Sequence, residues 1–421
     1  MHFNIRGAYT AISIATFTLA INLSVWALYA VLGIDLKNSL NLSSTQLGLL
    51  LASPIFTGSI ASVFAGTLSD KLKPKTLFIA QMLITAPALF LLPLVESFHD
   101  YLLLGLWLGL SGSSFIIGLR YIVDWFDRHS QGVTMGIFGV GDIGAAITLV
   151  ATPFIIDTWG WYGVGPVFGI ALLSTAFLFW LIAPQSTFKT PSVTEQLVFL
   201  ETIKNLQIWR FGLYYYFVFG SFIALTLWLP HYYVSAYGLH LDQAMAFTIT
   251  FVVTSSMARA LGGWFSDRYG GRSVNWAVFW VCIFCLFFLS YPPTNMTIHG
   301  VYHDVNITIE VNVWIFTLLI LVIGIAQGFG RASIFKTIHE YYPKNIGQIG
   351  GFVAGIGALG GCTLPILFGL SVDLLGIHSA CFMALYGVLV CCMTTMFFAN
   401  KTARFEERVT AARSTNFLDY D

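Results

Sequence analysis

A chain of 421 residues that is 57% hydrophobic, only 10% charged and formally neutral is excluded from most soluble classes, where roughly a quarter of residues are charged. A mean hydropathy of +0.78 points to lipid as the solvent, and zero net charge leaves no long-range field for nucleic acid. Cys282, Cys285, Cys362, Cys381, Cys391 and Cys392 all lie in apolar runs, where thiols act as small hydrophobes; no disulfide framework, metal site or cofactor is expected.

A membrane-spanning helix needs about 20 mostly apolar residues. Such runs begin near positions 9, 45, 76, 99, 131, 162, 210, 242, 273, 311, 347 and 377, which predicts twelve spans. The first, about Ala8 to Leu32, is too long for a signal-peptide core and lacks a cleavage pattern. The breaks carry turn chemistry at Asp70 to Lys75, Asp127 to Ser130, Asp157 to Trp161, Asp267 to Arg272 and Tyr342 to Asn345. The longest, Pro184 to Ile208, separates the sixth and seventh runs, and Ser192-Val-Thr-Glu195 within it reads as a capping box opening a short amphipathic helix. The expectation is an all-α membrane protein: a six-helix bundle over 1–183, a linker over 184–208, a second six-helix bundle over 209–400 and a tail over 401–421.

Lysine and arginine set the orientation. With the amino terminus inside, fifteen basic residues collect on the cytoplasmic side, Lys37 alone lies opposite, and Arg120, Arg259, Arg331 and Lys336 fall within the membrane. Both termini are expected in the cytoplasm. Gly66-Thr-Leu-Ser-Asp70-Lys71 recurs as Gly263-Trp-Phe-Ser-Asp267-Arg268, an offset of 267 minus 70, or 197. The halves read as copies of one unit.

These loops resemble the signature G-x-x-x-D-[RK]-x-G-x-[RK] of the major facilitator superfamily. The copy from Gly263 to Arg272 is complete, whereas the first has Lys73-Pro74-Lys75 where glycine and arginine are usual. The resemblance implies two pseudo-symmetric six-helix bundles and a cytoplasmic latch of Asp70, Lys71, Asp267, Arg268 and Arg272, with Asp124 and Glu340 as further partners. An aspartate there can also face a helix amino terminus. Within the superfamily the chain is similar to the nitrate/nitrite porter family through Gly112-Ser-Ser-Phe115, Gly136-x-x-Gly139-x-Gly141-Asp142-Ile-Gly144, Phe219-Gly220-Ser221-Phe222 to Trp228-Leu-Pro230, and Gly350-Gly351-Phe352 to Pro365. That likeness implies one arginine in span two and one in span eight clamping a small anion. Arg259 matches the second and Ser62 stands at the first; Asp142 and Arg331 occupy positions where the family has asparagine.

An ionisable side chain in a membrane helix costs roughly 2.5–3.5 kcal/mol on insertion scales, so each needs a reason. Arg259, about eight residues or roughly 12 Å from the end of its span, reads as an anion ligand, with Ser255 and Gly263 on its face; a helix-to-helix pair is the alternative. Asp142 either takes up and releases a proton or forms a permanent ion pair with Arg331 or Arg120. Arg331 is a ligand candidate, Lys336 is expected to snorkel to the interface, and Arg120 either contacts substrate or pairs with Asp124 four residues on. Among the aromatics of span seven, Tyr214, Tyr215, Tyr216, Phe219 and Trp228, the resemblance favours Tyr216 and Phe219.

The expected function is a secondary transporter of the cell inner membrane, a monomer moving a small organic or nitrate-like anion with protons by alternating access, and not an enzyme. An efflux carrier for a cationic or zwitterionic compound would lean on Asp142 instead of Arg259. A transporter-like nutrient sensor is a third reading.

Overall fold

The computed structural model describes residues 5–127, 130–185, 204–299 and 304–417. Among them twelve helices are long and apolar enough to cross a membrane: α1 Arg6–Ser39, α2 Ser44–Ser69, α3 Pro74–Leu94, α4 Phe98–Val123, α5 Gln131–Trp159, α6 Trp161–Ile182, α7 Leu206–Tyr237, α8 Leu241–Tyr269, α9 Gly271–Leu289, α10 Val313–Tyr341, α11 Ile346–Leu375 and α12 Ala380–Ala399. The chain is a multi-pass membrane protein of all-α class. The capping-box residues Ser192 to Glu195 lie outside the described residues.

Helix ends follow local chemistry. Ser43 and Gln46 form a reciprocal capping box at the start of α2, Pro74 opens α3 at a position needing no N–H donor, and Ser97 and Asn312 cap α4 and α10. Gly238 and Gly376 end α7 and α11 at φ of 65° and 67°, where a side chain would be strained. Between α9 and α10 lies an element the sequence reading did not anticipate: strands β1, Thr294–His299, and β2, Asp304–Ile309, pair antiparallel from Thr294 opposite Ile309 to His299 opposite Asp304.

Four spans are irregular inside their length. Helix α1 has a turn at Ala27 and Leu28, α4 and α5 pass through 3₁₀ turns at Gly109–Ser113 and Val140–Ile143, and α7 has a π-helical turn at Tyr216–Gly220. Such breaks are tolerated at membrane depth only where the freed backbone groups are buried in protein or line a cavity.

The halves meet along two equivalent seams. Helices α2 and α11 run antiparallel in contact from end to end, Gly48 against the backbone of Pro365, Ser59 donating to the Gly355 carbonyl at 2.6 Å, and Gly66 against Gly347 and Gly351. Six spans on in each half, α8 and α5 pack the same way, Gly263 against Gly132 and Gly136 against the Arg259 backbone. Small residues let backbones approach this closely where lipid gives helices no hydrophobic reason to associate.

Candidate functional site

The buried charges converge where the halves meet. Asp142 sits in the 3₁₀ turn of α5, and its Oδ2 accepts from Nη1 of Arg259 on α8 at 2.5 Å and from Nη1 of Arg331 on α10 at 2.5 Å. All three side chains are at most 1% exposed. Glycine makes the approach possible, because a Cβ on Gly139 would collide with the Arg259 guanidinium and one on Gly144 with the Ala20 carbonyl of α1. Arg331 is further held by Nη2 donating to the Ser255 hydroxyl at 2.7 Å and carbonyl at 3.1 Å.

Two cations thus share one carboxylate in a buried setting, so the formal charges do not balance. The second carboxylate oxygen of Asp142 and Nε of Arg259 have no hydrogen-bond partner in the protein, and the buried Tyr215 hydroxyl lies beside the Arg259 guanidinium. An unmatched buried polar atom costs about 1–3 kcal/mol.

Aromatic rings enclose the cluster. The Arg259 guanidinium lies 4.7 Å from the Phe115 ring centroid and that of Arg331 lies 3.8 Å from Phe222, both within cation–π range. A continuous ring stack runs Phe138, Phe115, Phe335, Tyr215, Phe219, Trp26, at centroid spacings of 5.7, 5.1, 4.9, 5.0 and 6.2 Å. It crosses between halves at Phe115–Phe335 and at Phe219–Trp26.

The expected site residues are thereby sorted. Arg259, Arg331, Asp142 and Phe219 come together. Tyr216 turns away, its hydroxyl 2.6 Å from that of Thr363 on α11, and Tyr215 takes the inward place. The preference for Tyr216 rests on the family resemblance, and the π-helical turn that begins at this residue locally departs from the regular 3.6-residue phase. Ser62 donates to the Gly58 carbonyl at 2.7 Å within the α2–α11 seam, and the guanidinium that meets Asp142 beside that of Arg259 is Arg331 of α10. Trp26, Phe115, Phe222 and Phe335 were not selected as site residues from the sequence, although Phe115 and Phe222 end the segments Gly112-Ser-Ser-Phe115 and Phe219-Gly220-Ser221-Phe222.

Arg120 belongs to a second cluster, at the end of the molecule bearing the repeated aspartate loops. Its Nε donates to Asp70 at 3.0 Å and Nη1 pairs with Asp124 at 2.8 Å. Asp70 also accepts from the Gln348 N–H at 2.7 Å, at the amino terminus of α11. Burial pushes the Asp70 carboxyl above its ordinary pKa, against the opposing pull of Arg120 and of the Gly347 and Gln348 N–H groups. The other half repeats the design: Asp267 accepts from the Gly132 and Val133 N–H groups at the amino terminus of α5, at 3.1 and 2.9 Å, and pairs with Lys336 at 2.9 Å. Glu340 lies 3.6 Å from Lys336, as Asp124 lies beside Arg120. Lys336 therefore does not snorkel as expected; it is 5% exposed, because Asp267 offers a charged partner inside the protein. The other basic loop residues stand apart: Lys71 is exposed, Arg268 lies over Trp264 and Tyr269, and Arg272 donates to the Tyr341 hydroxyl at 2.6 Å.

The opposite end has a contact of the same kind. Asp373, near the end of α11, accepts from the Thr45 N–H at 2.8 Å and the Thr45 hydroxyl at 2.6 Å, at the amino terminus of α2. Helices α2 and α11 thus each place a carboxylate on the amino terminus of the other. Lys37 Nζ lies 3.3 Å from His231 Nε2, joining α1 to α7.

Compared with known proteins, residues 12–309 match the family described as the Major Facilitator Superfamily. The chain is 30% identical over 388 residues to a probable nitrate/nitrite antiporter, NarK1, of Thermus thermophilus, covering 89% of this chain and 87% of the relative. It is 26% identical over 381 residues to the nitrite extrusion protein of Bacillus subtilis strain 168, covering 90% and 92%. In fold it is similar to the human organic anion transporter MFSD10, with a TM-score of 0.68 at 13% identity, covering 92% of this chain and 99% of the other.

Proposed function

The chain belongs to the Major Facilitator Superfamily, and from that premise we propose that it is a secondary carrier of a small anion, working by alternating access and coupled to protons. Arg259 and Arg331 bind the anion, Phe115, Tyr215 and Phe219 flank it, and Asp142 exchanges the proton. The observation that carries the reading is the convergence of two guanidiniums from one half on the single carboxylate offered by the other. The relatives' names, which include nitrate and nitrite, support small inorganic anions as first candidates; Ser62 at the position of the family's span-two arginine supports testing organic monoanions beside them.

The bundles 1–183 and 209–400, joined by the linker 184–208 and followed by the tail 401–421, rock about this site. Asp70, Asp124, Asp267 and Glu340 latch the cytoplasmic end with Arg120 and Lys336, and both termini face the cytoplasm of an inner membrane. A cationic cargo fits less well, because Asp142 already faces two guanidiniums. Transport itself separates a carrier from a sensor.

The test is uptake of nitrate, nitrite and acetate into proteoliposomes. Losing one partner of a buried charge pair costs about 2–5 kcal/mol, so Arg259→Lys should lower uptake by about 30-fold or more with the melting temperature nearly unchanged. Undiminished uptake by Arg259→Lys and Arg259→Ala alike would remove the ligand role.

A further inference from the structure

Charge balance at the central cluster carries one step more, resting on the anion-carrier reading. In the structure the Asp142 carboxylate occupies both guanidiniums that the proposed anion would use: Oδ2 takes one N–H from each of Arg259 and Arg331. Asp142 comes from the half opposite both arginines, so movement of the halves changes its distance from them. Its other oxygen is unpartnered. The groups packed around it are Arg259 from α8, Arg331 from α10, Tyr215 from α7, and, from α1, Leu19 and the Ala20 backbone against Gly141 and Gly144; among the described residues no second carboxylate pairs with either arginine.

We infer that Asp142 is a resident counter-anion, which the transported monoanion displaces from the two guanidiniums as Asp142 takes up one proton. In the empty carrier the site holds two positive charges and one negative, that of Asp142. In the loaded carrier it again holds two positive charges and one negative, that of the cargo, with Asp142 neutral. Both forms therefore cross the closed, low-dielectric state with the same charge, and neither return is blocked by a bare pair of arginines. The proton enters Asp142 from the side where the anion binds and leaves on the side where it is released. Net movement is one anion with one proton, electrically neutral, and the cargo carries a single negative charge.

Without the carboxylate, the empty site would hold two uncompensated positive charges while the loaded site would keep one. Asp142→Asn should then return empty poorly yet still move when loaded, becoming an exchanger. The experiment measures ¹⁵N-nitrate, nitrite and acetate in proteoliposomes in two modes, net uptake driven by a pH gradient and exchange against internal anion. For Asp142→Asn the ratio of exchange to net uptake should rise at least tenfold over wild type, and Asp142→Glu should restore the ratio toward wild type. A ratio unchanged in Asp142→Asn, whether both modes persist or both are lost, overturns the inference. With wild type alone, net uptake should follow an imposed pH gradient and ignore a potassium-diffusion potential; uptake that follows the potential at zero pH gradient overturns it with no variant needed. Wild-type protein that moves none of the three anions in either mode removes the anion-carrier reading itself, and the inference with it.

Discussion

At the scale of single residues the informative feature is imbalance. Arg259 and Arg331 share one carboxylate at the seam of the halves, and each guanidinium also lies on an aromatic face, a surface that favours a cation without neutralising it. Tyr215 offers a sharp test, since its hydroxyl is buried beside Arg259 whereas Tyr216 spends its hydroxyl on Thr363. Tyr215→Phe should leave the melting temperature nearly unchanged while raising the KM for anion several-fold. Tyr216→Phe should lower the melting temperature by the equivalent of about 1 kcal/mol with little change in KM. Thermal unfolding and initial-rate uptake on the same preparations check the pair; the reverse pattern would return Tyr216 to the site.

At the scale of elements, carboxylates on helix amino termini recur three times. Asp70 serves α11, Asp267 serves α5 and Asp373 serves α2, each meeting N–H groups of the first helical turn where the helix dipole favours negative charge. They differ in depth. Asp70 is buried and paired with Arg120, whereas Asp373 is exposed. Losing Asp70 leaves a buried guanidinium without one of its carboxylates, worth about 3–5 kcal/mol, while an exposed cap is worth about 1 kcal/mol. Asp70→Asn should therefore open its end far more than Asp373→Asn opens the other. Distances between spin labels at Leu72 and Pro343, and at Asn38 and Leu374, read the two ends separately. Equal widening in the two variants would remove the difference in strength.

At the scale of the whole molecule the antiparallel α2–α11 seam couples the two ends. Its glycines bring backbones into contact at Gly48 near one end and at Gly66 near the other, and under the proposed alternating access one of these contacts has to part while the other holds. A bulky residue at Gly66 would meet the Gly347 carbonyl and the Gly351 backbone directly, neither of which can move aside as a flexible side chain can. Gly66→Leu should hold that end apart, widening the Leu72–Pro343 distance and lowering net uptake by tenfold or more in the folded, monodisperse protein. Uptake at the wild-type rate would show that the seam need not close for transport.

Length, hydropathy and the Asp70/Asp267 repeat were enough to read twelve spans in two related halves, because lipid forces each crossing to be a long apolar helix and duplication leaves its spacing in the chain. They were also enough to single out Arg259, Arg331 and Asp142, because charge in such a helix is costly wherever the helix packs. Which charges meet was decided only by the tertiary structure: Arg120 and Lys336 are assigned to aspartates at one end, Arg259 and Arg331 to Asp142, and Tyr215 takes the place expected of Tyr216. The reason is physical. Helical spacing relates neighbours three and four residues apart, but a pairing between α5, α8 and α10 depends on how glycine-lined backbones approach and on a π-helical turn that breaks the regular phase, and neither is written in the spacing of one segment.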